Sequence, residues 1–232
     1  MITIKQLQKK YGKATVLDIP DLTIKQGETV GIVGNNGAGK TTLFRCLLDL
    51  IRPSSGTILS KEIAVQNSDH WKPYTASFLD ESFLLDYLSA EEFFSFIASL
   101  YGRSEDDIQA FYRLMGGIFN DEILGKRKYI RDFSKGNQKK TGIAAALIGM
   151  PQILILDEPF TNLDPTSQIR LKLLLRQLNV ESGTTMLISS HDLIHVTEVC
   201  NRIIVIDKGR IVHDLQTNDD TLSMLKNFFS VV

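Results

Sequence analysis

The chain has 232 residues, 43% of them hydrophobic and 23% charged, with 26 Lys and Arg against 27 Asp and Glu for a formal net charge of −1. That length and apolar share support one large domain, or two small ones, around a core that needs no covalent staples. The near-neutral balance argues against a nucleic-acid partner held over a broad basic face. In chain order, Lys5, Lys9 and Lys10 interrupt the N-terminus with no apolar run behind them, so no secretory leader is expected. Alternation predicts strands over Met1–Leu7 and Thr15–Ile24, and Gly27 marks a turn before an apolar strand over Glu28–Val33. A glycine-rich turn spans Gly34–Gly39. Apolar residues then recur at helical spacing (Leu43, Leu47, Leu50) until Pro53 and Gly56. Short strands are predicted at Thr57–Leu59 and Glu62–Gln66.

From Asp80 to Thr141 β-branched runs are scarce, and Ala90–Tyr101 and Ser104–Met115 carry helical periodicity; residues 80–141 therefore read as a helical insertion within one domain spanning 1–232. Strands follow at Ile153–Leu156, Thr185–Ser189 and Ile203–Asp207, separated by helices over Thr166–Val180 and Leu193–Val199, with a last edge strand at Arg210–Asp214. Strand, glycine-rich turn and helix begin a βαβ unit, which implies an α/β fold with a mostly parallel sheet. Cys46 and Cys200 lie too far apart in sequence for CxxC metal spacing and are too few for a disulfide framework, which favours a reducing compartment. The longest apolar runs, Ile143–Met150 and Ile153–Leu156, fall far short of the roughly 20 residues needed to cross a bilayer.

Gly34-Asn35-Asn36-Gly37-Ala38-Gly39-Lys40-Thr41 matches the phosphate-loop pattern G-x-x-x-x-G-K-[ST], between a predicted strand and a predicted helix. Glycines let successive N–H groups point inward around an anion, and the helix start adds its positive dipole end. Lys40 then reaches the β- and γ-phosphates, and the Thr41 hydroxyl serves Mg²⁺. Downstream, Ile153–Leu156 ends in Asp157-Glu158-Pro159. An apolar strand buried on both faces, with carboxylates at its carboxyl end, fits a ligand site in an open α/β sheet. Asp157 can hold Mg²⁺ there and Glu158 can take a proton from attacking water. Without the phosphate loop, two solvated acids at a strand end would be the plainer reading.

With these residues in place, the chain resembles the nucleotide-binding subunit of ATP-binding cassette (ABC) transporters over nearly its whole length. Tyr11, followed by Gly12, fits the aromatic residue that stacks on adenine. Gly34–Thr42 is the phosphate loop, with a second threonine, Thr42. Phe133-Ser134-Lys135-Gly136-Asn137 stands where the family carries its Leu-Ser-Gly-Gly-Gln signature. Leu156–Pro159 matches the acidic strand, Asn162-Leu163-Asp164 the loop that touches the opposite subunit, and Ser189-Ser190-His191-Asp192 the switch-histidine segment. His70, His195 and His213 lack such context and read as bystanders.

The resemblance implies a P-loop NTPase fold: a mostly parallel central sheet, an N-terminal antiparallel β subdomain and an inserted helical subdomain. It implies an ATPase that uses ATP and Mg²⁺, with Glu158, His191 and Lys40 catalytic and Thr41, Asp157 and Asp80 at the metal. Asp80 takes the position of the family's metal-side glutamine; neighbouring Glu81 is its rival, and Gln66 comes too early. Ser134 and Gly136 would face the γ-phosphate of a second ABC subunit, the same chain or a different one. The remaining partner implied is a membrane-spanning permease, which places the chain peripherally on the cytoplasmic face of the membrane. The Ser-Lys-Gly signature resembles bacterial exporter cassettes (the ABC-2 type); Lys135 is either a charge at the nucleotide edge or a solvated one. A soluble cassette ATPase without transport, in assembly or on ribosomes, stays open as the alternative.

Overall fold

The computed structural model describes residues 1–231. Two sheets organise the chain. The first, with strand order β2-β1-β4-β5, is antiparallel: β1 (Ile2–Tyr11), β2 (Ala14–Ile24), β4 (Ser55–Ser60) and β5 (Ile63–Ala64). The second has order β10-β9-β3-β8-β7-β6, built from β3 (Thr29–Val33), β6 (Thr75–Phe78), β7 (Ile153–Leu156), β8 (Thr185–Ser190), β9 (Arg202–Asp207) and β10 (Arg210–Gln216). Five of its strands run parallel, and β10 alone is antiparallel at the edge. The α/β expectation and the N-terminal antiparallel sheet are both met.

The period of two explains why β7 and β8 read as unbroken apolar runs. Ile153 and Ile155 face a core shared with β1, β2 and α1 (Lys40–Leu47), while Leu154 and Leu156 face a second core beneath the helices. Leu187 likewise joins the first, and Met186 and Ile188 the second. Each face of the parallel sheet is thereby covered.

The helical segment holds α2 (Ala90–Leu100) and α3 (Glu105–Phe119), each opened by a capping box, Ser89 with Glu92 and Ser104 with Asp107. Phe94 stacks on Phe119 with ring centroids 5.6 Å apart and meets Phe111 edge-on at 5.9 Å, which ties the two helices together. Then come α4 (Lys135–Leu147), α5 (Pro165–Ser182), α6 (Leu193–Val199) and α7 (Thr221–Val231). Two elements exceed the sequence expectation. Thr-Ala-Ser-Phe of β6 lacks a strand-like run and is a strand through its pairing with β7; α7 was not expected at all.

Helix α4 lies on β6 so closely that a Cβ at Gly142 would stand 2.1 Å from Phe78 Cε2. In an open helix alanine gains about 0.5–1 kcal/mol over glycine. Here the overlap forces the buried ring or the helix aside at about 1–3 kcal/mol. Gly142→Ala is therefore expected to lower the chemical denaturation midpoint, and a raised midpoint would refute this packing.

Candidate active site

The parallel sheet decides where the site lies, because β3 neighbours β8 and β8 neighbours β7. Val33 is opposite Ser190, and Leu156 opposite Ile188, so the segments leaving all three strands emerge side by side. Ligands in open α/β sheets sit beyond such carboxyl ends.

After β3 the chain wraps through Gly34–Gly39 into α1. Gly39 is the helix N-cap at φ 113°, in a region only glycine enters cheaply, and a Cβ at Gly34 would fall 2.2 Å from the Ile206 carbonyl. The loop is pinned from outside as well, since the Gly209 N–H donates to the Ala38 carbonyl at 2.8 Å. Lys40 is buried and folds back on its own loop: Nζ donates to the Gly34 carbonyl at 2.7 Å and lies 3.9 Å from Glu158 Oε1. An ammonium folded over a glycine-rich loop at the start of a helix fits an anion site.

Asp157, at the end of β7, is only 6% exposed. Its Oδ2 accepts the Thr41 hydroxyl at 2.5 Å and its Oδ1 accepts the Ser189 hydroxyl. The next residue, Glu158, has φ 49°, an uncommon backbone state for a residue with a side chain. Its N–H donates to Ser189 Oγ at 2.9 Å, its carbonyl accepts from Thr161 Oγ1 at 2.9 Å, and its Oε2 meets His191 Nδ1 at 2.9 Å. Lys40, Thr41, Asp157, Glu158 and His191, named separately along the sequence, thus converge. Ser189 belongs with them and was missed as a site residue; its signal was a polar residue ending an apolar strand, where it is fully buried.

Magnesium binds one or two carboxylates and completes its octahedron with water and phosphate oxygens. Asp157 and Thr41 offer that kind of donor set. Among the described residues no group of three His, Cys, Asp or Glu could hold a metal.

The other predicted residues lie apart from this centre or beside it. Tyr11 ends β1 with its ring 53% exposed, and Lys9 Nζ stands 4.8 Å from the ring centroid. Ser134 is exposed and caps α4, its Oγ accepting the Asn137 N–H at 3.2 Å. A Cβ at Gly136 would come within 2.5 Å of the Asn162 carbonyl, so the signature backbone presses against the segment ahead of α5. Lys135 turns along its helix to Gln138 Oε1 at 3.2 Å. Asp80 and Glu81 follow β6, whose Phe78 carbonyl accepts the Asp157 N–H. Asp80 is spent on capping, accepting from the Ser82 N–H at 2.8 Å and from its hydroxyl, with Arg45 at 4.0 Å. Glu81 points the other way, toward Lys139. His195 packs on Phe160 at 4.8 Å, and burial lowers its pKa against the pull of Asp192. His213 stands edge-on to Phe228, and His70 is exposed.

Helix α4 buries four consecutive polar residues, Gln138, Lys139, Lys140 and Thr141. Buried polar groups must find partners, and these do. Gln138 Nε2 donates to the Ile130 carbonyl at 3.1 Å, and Thr141 to the Asn137 carbonyl at 2.8 Å. Lys140 Nζ meets Glu122 at 2.9 Å and Asp164 at 3.5 Å. Asp164 caps α5, and hydrogen bonds from the Ser167 hydroxyl and N–H hold its carboxyl down at about 2. Lys139 has its ammonium pKa lowered by burial, opposed by Glu81, Glu158 and Asp157.

The comparisons with known proteins agree with this architecture. Residues 17–161 match the family model described as ABC transporter. The methionine import ATP-binding protein MetN of Francisella tularensis is 35% identical over 229 residues, covering 94% of this chain and 65% of MetN. The ABC transporter ATP-binding protein NatA of Bacillus subtilis is 35% identical over 227 residues, covering 92% of this chain and 88% of NatA. This chain spans between 54% and 70% of the length of the first curated relatives it matches. A solved dimer of an ATP-binding cassette in a post-hydrolysis state, bound to ADP and Pi, superposes with a TM-score of 0.80 at 23% identity. That match covers 94% of this chain and 99% of the other and shows the shared fold. Matched by the family model over more than half its residues, the chain belongs to the ABC transporter family and is an ATP-binding domain with that family's ATPase fold.

Proposed function

We propose that the chain binds Mg·ATP, hydrolyses it as one of a pair of cassettes, and thereby powers transport through a separate membrane-spanning partner. The observation that carries this reading is the convergence of Lys40, Thr41, Asp157, Glu158 and His191 beyond β3, β7 and β8. The exposed Tyr11 ring takes the adenine face. The amides of Asn35, Asn36, Gly37, Ala38 and Gly39, with Lys40 and Thr42, take the phosphates. Thr41 and Asp157 hold magnesium, which when bound neutralises phosphate charge. Glu158 accepts a proton from the water whose oxygen attacks the γ-phosphorus as the bond to the β–γ bridging oxygen breaks and ADP leaves. His191, hydrogen-bonded to Glu158, faces the same phosphate. Positioning and charge neutralisation are most of what phosphoryl transfer requires.

Ser134 and the Gly136 N–H, at the start of α4, serve the nucleotide of the second cassette, whether the same chain or a different one. Two ATP molecules are then shared across a head-to-tail pair, and loss of phosphate removes the bridging charge. The loop carrying Asp80 and Glu81 runs from beside Asp157 to a largely apolar groove of ≈ 610 Å³ lined by Trp71, Phe83, Phe93, Ile97, Leu100 and Tyr101. That groove is assigned to a cytoplasmic segment of the membrane partner, because it borders the nucleotide site through this loop. The membrane-spanning partner, with the cassette on its cytoplasmic face, is part of this proposal and rests on the family; no helix among the described residues is long and apolar enough to cross a membrane. Export is supported by the Ser134-Lys135-Gly136 signature; MetN, a relative of equal similarity to NatA, is named for import.

A tagged chain purified from detergent-solubilised membranes is expected to bring down a multi-span membrane protein. Recovery from the soluble fraction alone, with no such protein attached, would favour a cassette ATPase that does no transport.

A further inference from the structure

Lys139 sits on α4, four residues past the exposed Lys135, yet is only 5% exposed. Its Nζ donates to the Glu158 carbonyl at 2.9 Å and to Thr161 Oγ1 at 2.5 Å. Thr161 Oγ1 in turn donates to that same carbonyl. The third face of the ammonium looks toward Glu81 Oε1 at 3.9 Å, and that oxygen is buried without a hydrogen-bond partner. A buried cation is costly unless paired and hydrogen-bonded, so this position is maintained against a penalty. What it grips is the one peptide in the site whose left-handed conformation sets the direction of the Glu158 side chain.

We infer that Lys139 is a positioning residue for Glu158, fixing the peptide that aims this carboxylate and linking it to Glu81 in the loop beside the apolar groove. The assignment rests on the reading of Glu158 as the proton acceptor. The Glu158 peptide is held on both sides, its N–H by Ser189 and its carbonyl by Lys139 and Thr161. With either side-chain donor lost, the carbonyl keeps only the other and the Thr161 N–H at 3.4 Å, and the strained backbone of Glu158 can turn and swing the carboxylate. Misplacing a reacting group by about 1 Å costs up to ~10²-fold in rate. The Glu81 contact is about 1 Å longer than a charge-assisted hydrogen bond. A small shift of the Asp80–Glu81 loop therefore makes or breaks the third bond of the ammonium, and Lys139 passes that shift to the catalytic peptide.

The test uses the purified cassette, with steady-state ATPase kinetics and thermal unfolding. Lys139→Met keeps the aliphatic stem and removes the donors. It is expected to lower kcat about 10- to 100-fold while KM for ATP stays within about twofold. Thr161→Val, nearly isosteric, is expected to give the same kcat-only loss. The double variant should be no slower than the slower single one, because both residues hold one carbonyl. Three results overturn the assignment: kcat of Lys139→Met within twofold of the parent, KM rising in step with the loss, or losses that multiply in the double variant. If Lys139→Met does not fold, Thr161→Val decides alone, a kcat-only loss supporting the role and a parental kcat removing it. Glu158→Gln assayed beside them separates the two failures. Turnover by Glu158→Gln refutes the proton-acceptor reading, whereas an inactive Glu158→Gln with a fully active Lys139→Met refutes only the role of Lys139.

Discussion

Glu158→Gln is expected to lower kcat by on the order of 10²–10⁴-fold, the usual contribution of a positioned general base, with ATP affinity within about twofold of the parent. The amide has the same shape, and its oxygen can still meet His191, which lies 2.9 Å from Oε2 in the parent. The Glu158 backbone contacts to Ser189, Lys139 and Thr161 do not involve the side chain, so the peptide stays where it is. What disappears is the proton acceptor. One negative charge also leaves the neighbourhood of Lys40, 3.9 Å away, which frees that ammonium for phosphate rather than weakening its grip. Bound ATP should then persist and bridge two copies, so an ATP-dependent dimer should accumulate in size-exclusion chromatography while phosphate release stops. Release at the parental rate would remove Glu158 from its role.

How much of this site could be read from sequence depends on where each residue's meaning resides. Gly34–Thr41 was legible because phosphate binding demands backbone geometry that few residue types satisfy, and the pattern is contiguous. Asp157 and Glu158 were legible because a run buried on both faces of a sheet stops abruptly at two charges. Lys139 was not, since a lysine on a polar helix face reads as solvated. Only the packing of α4 against the segment after β7 makes it a buried cation. Ser189 was hidden for a related reason: a serine at a strand end is unremarkable until β8 is seen to lie between β3 and β7. The same logic covers β6, which is a strand through its neighbour rather than through its own propensity. The position of Asp80 came from the resemblance, and the structure gives it a capping role while turning Glu81 toward Lys139.

Lys40→Ala is the second large effect, and it separates binding from chemistry. Lys40 Nζ is satisfied by the carbonyls of Gly34 at 2.7 Å and Asn35 at 3.4 Å, so the loop holds its cation against its own backbone. A triphosphate bound at the loop exchanges these neutral acceptors for charged oxygens, which roughly doubles the strength of each hydrogen bond. Removing one partner of a buried, hydrogen-bonded charge pair costs about 2–5 kcal/mol, hence at least ~30-fold in affinity. The loop itself should survive, because Gly39 still caps α1 and Gly209 still binds the Ala38 carbonyl. Isothermal titration with Mg·ATP is therefore expected to show the loss at an unfolding temperature within a few degrees of the parent. Unchanged affinity would mean that phosphate is held elsewhere, and the roles given to Thr41, Asp157 and Glu158 would lose their common ligand.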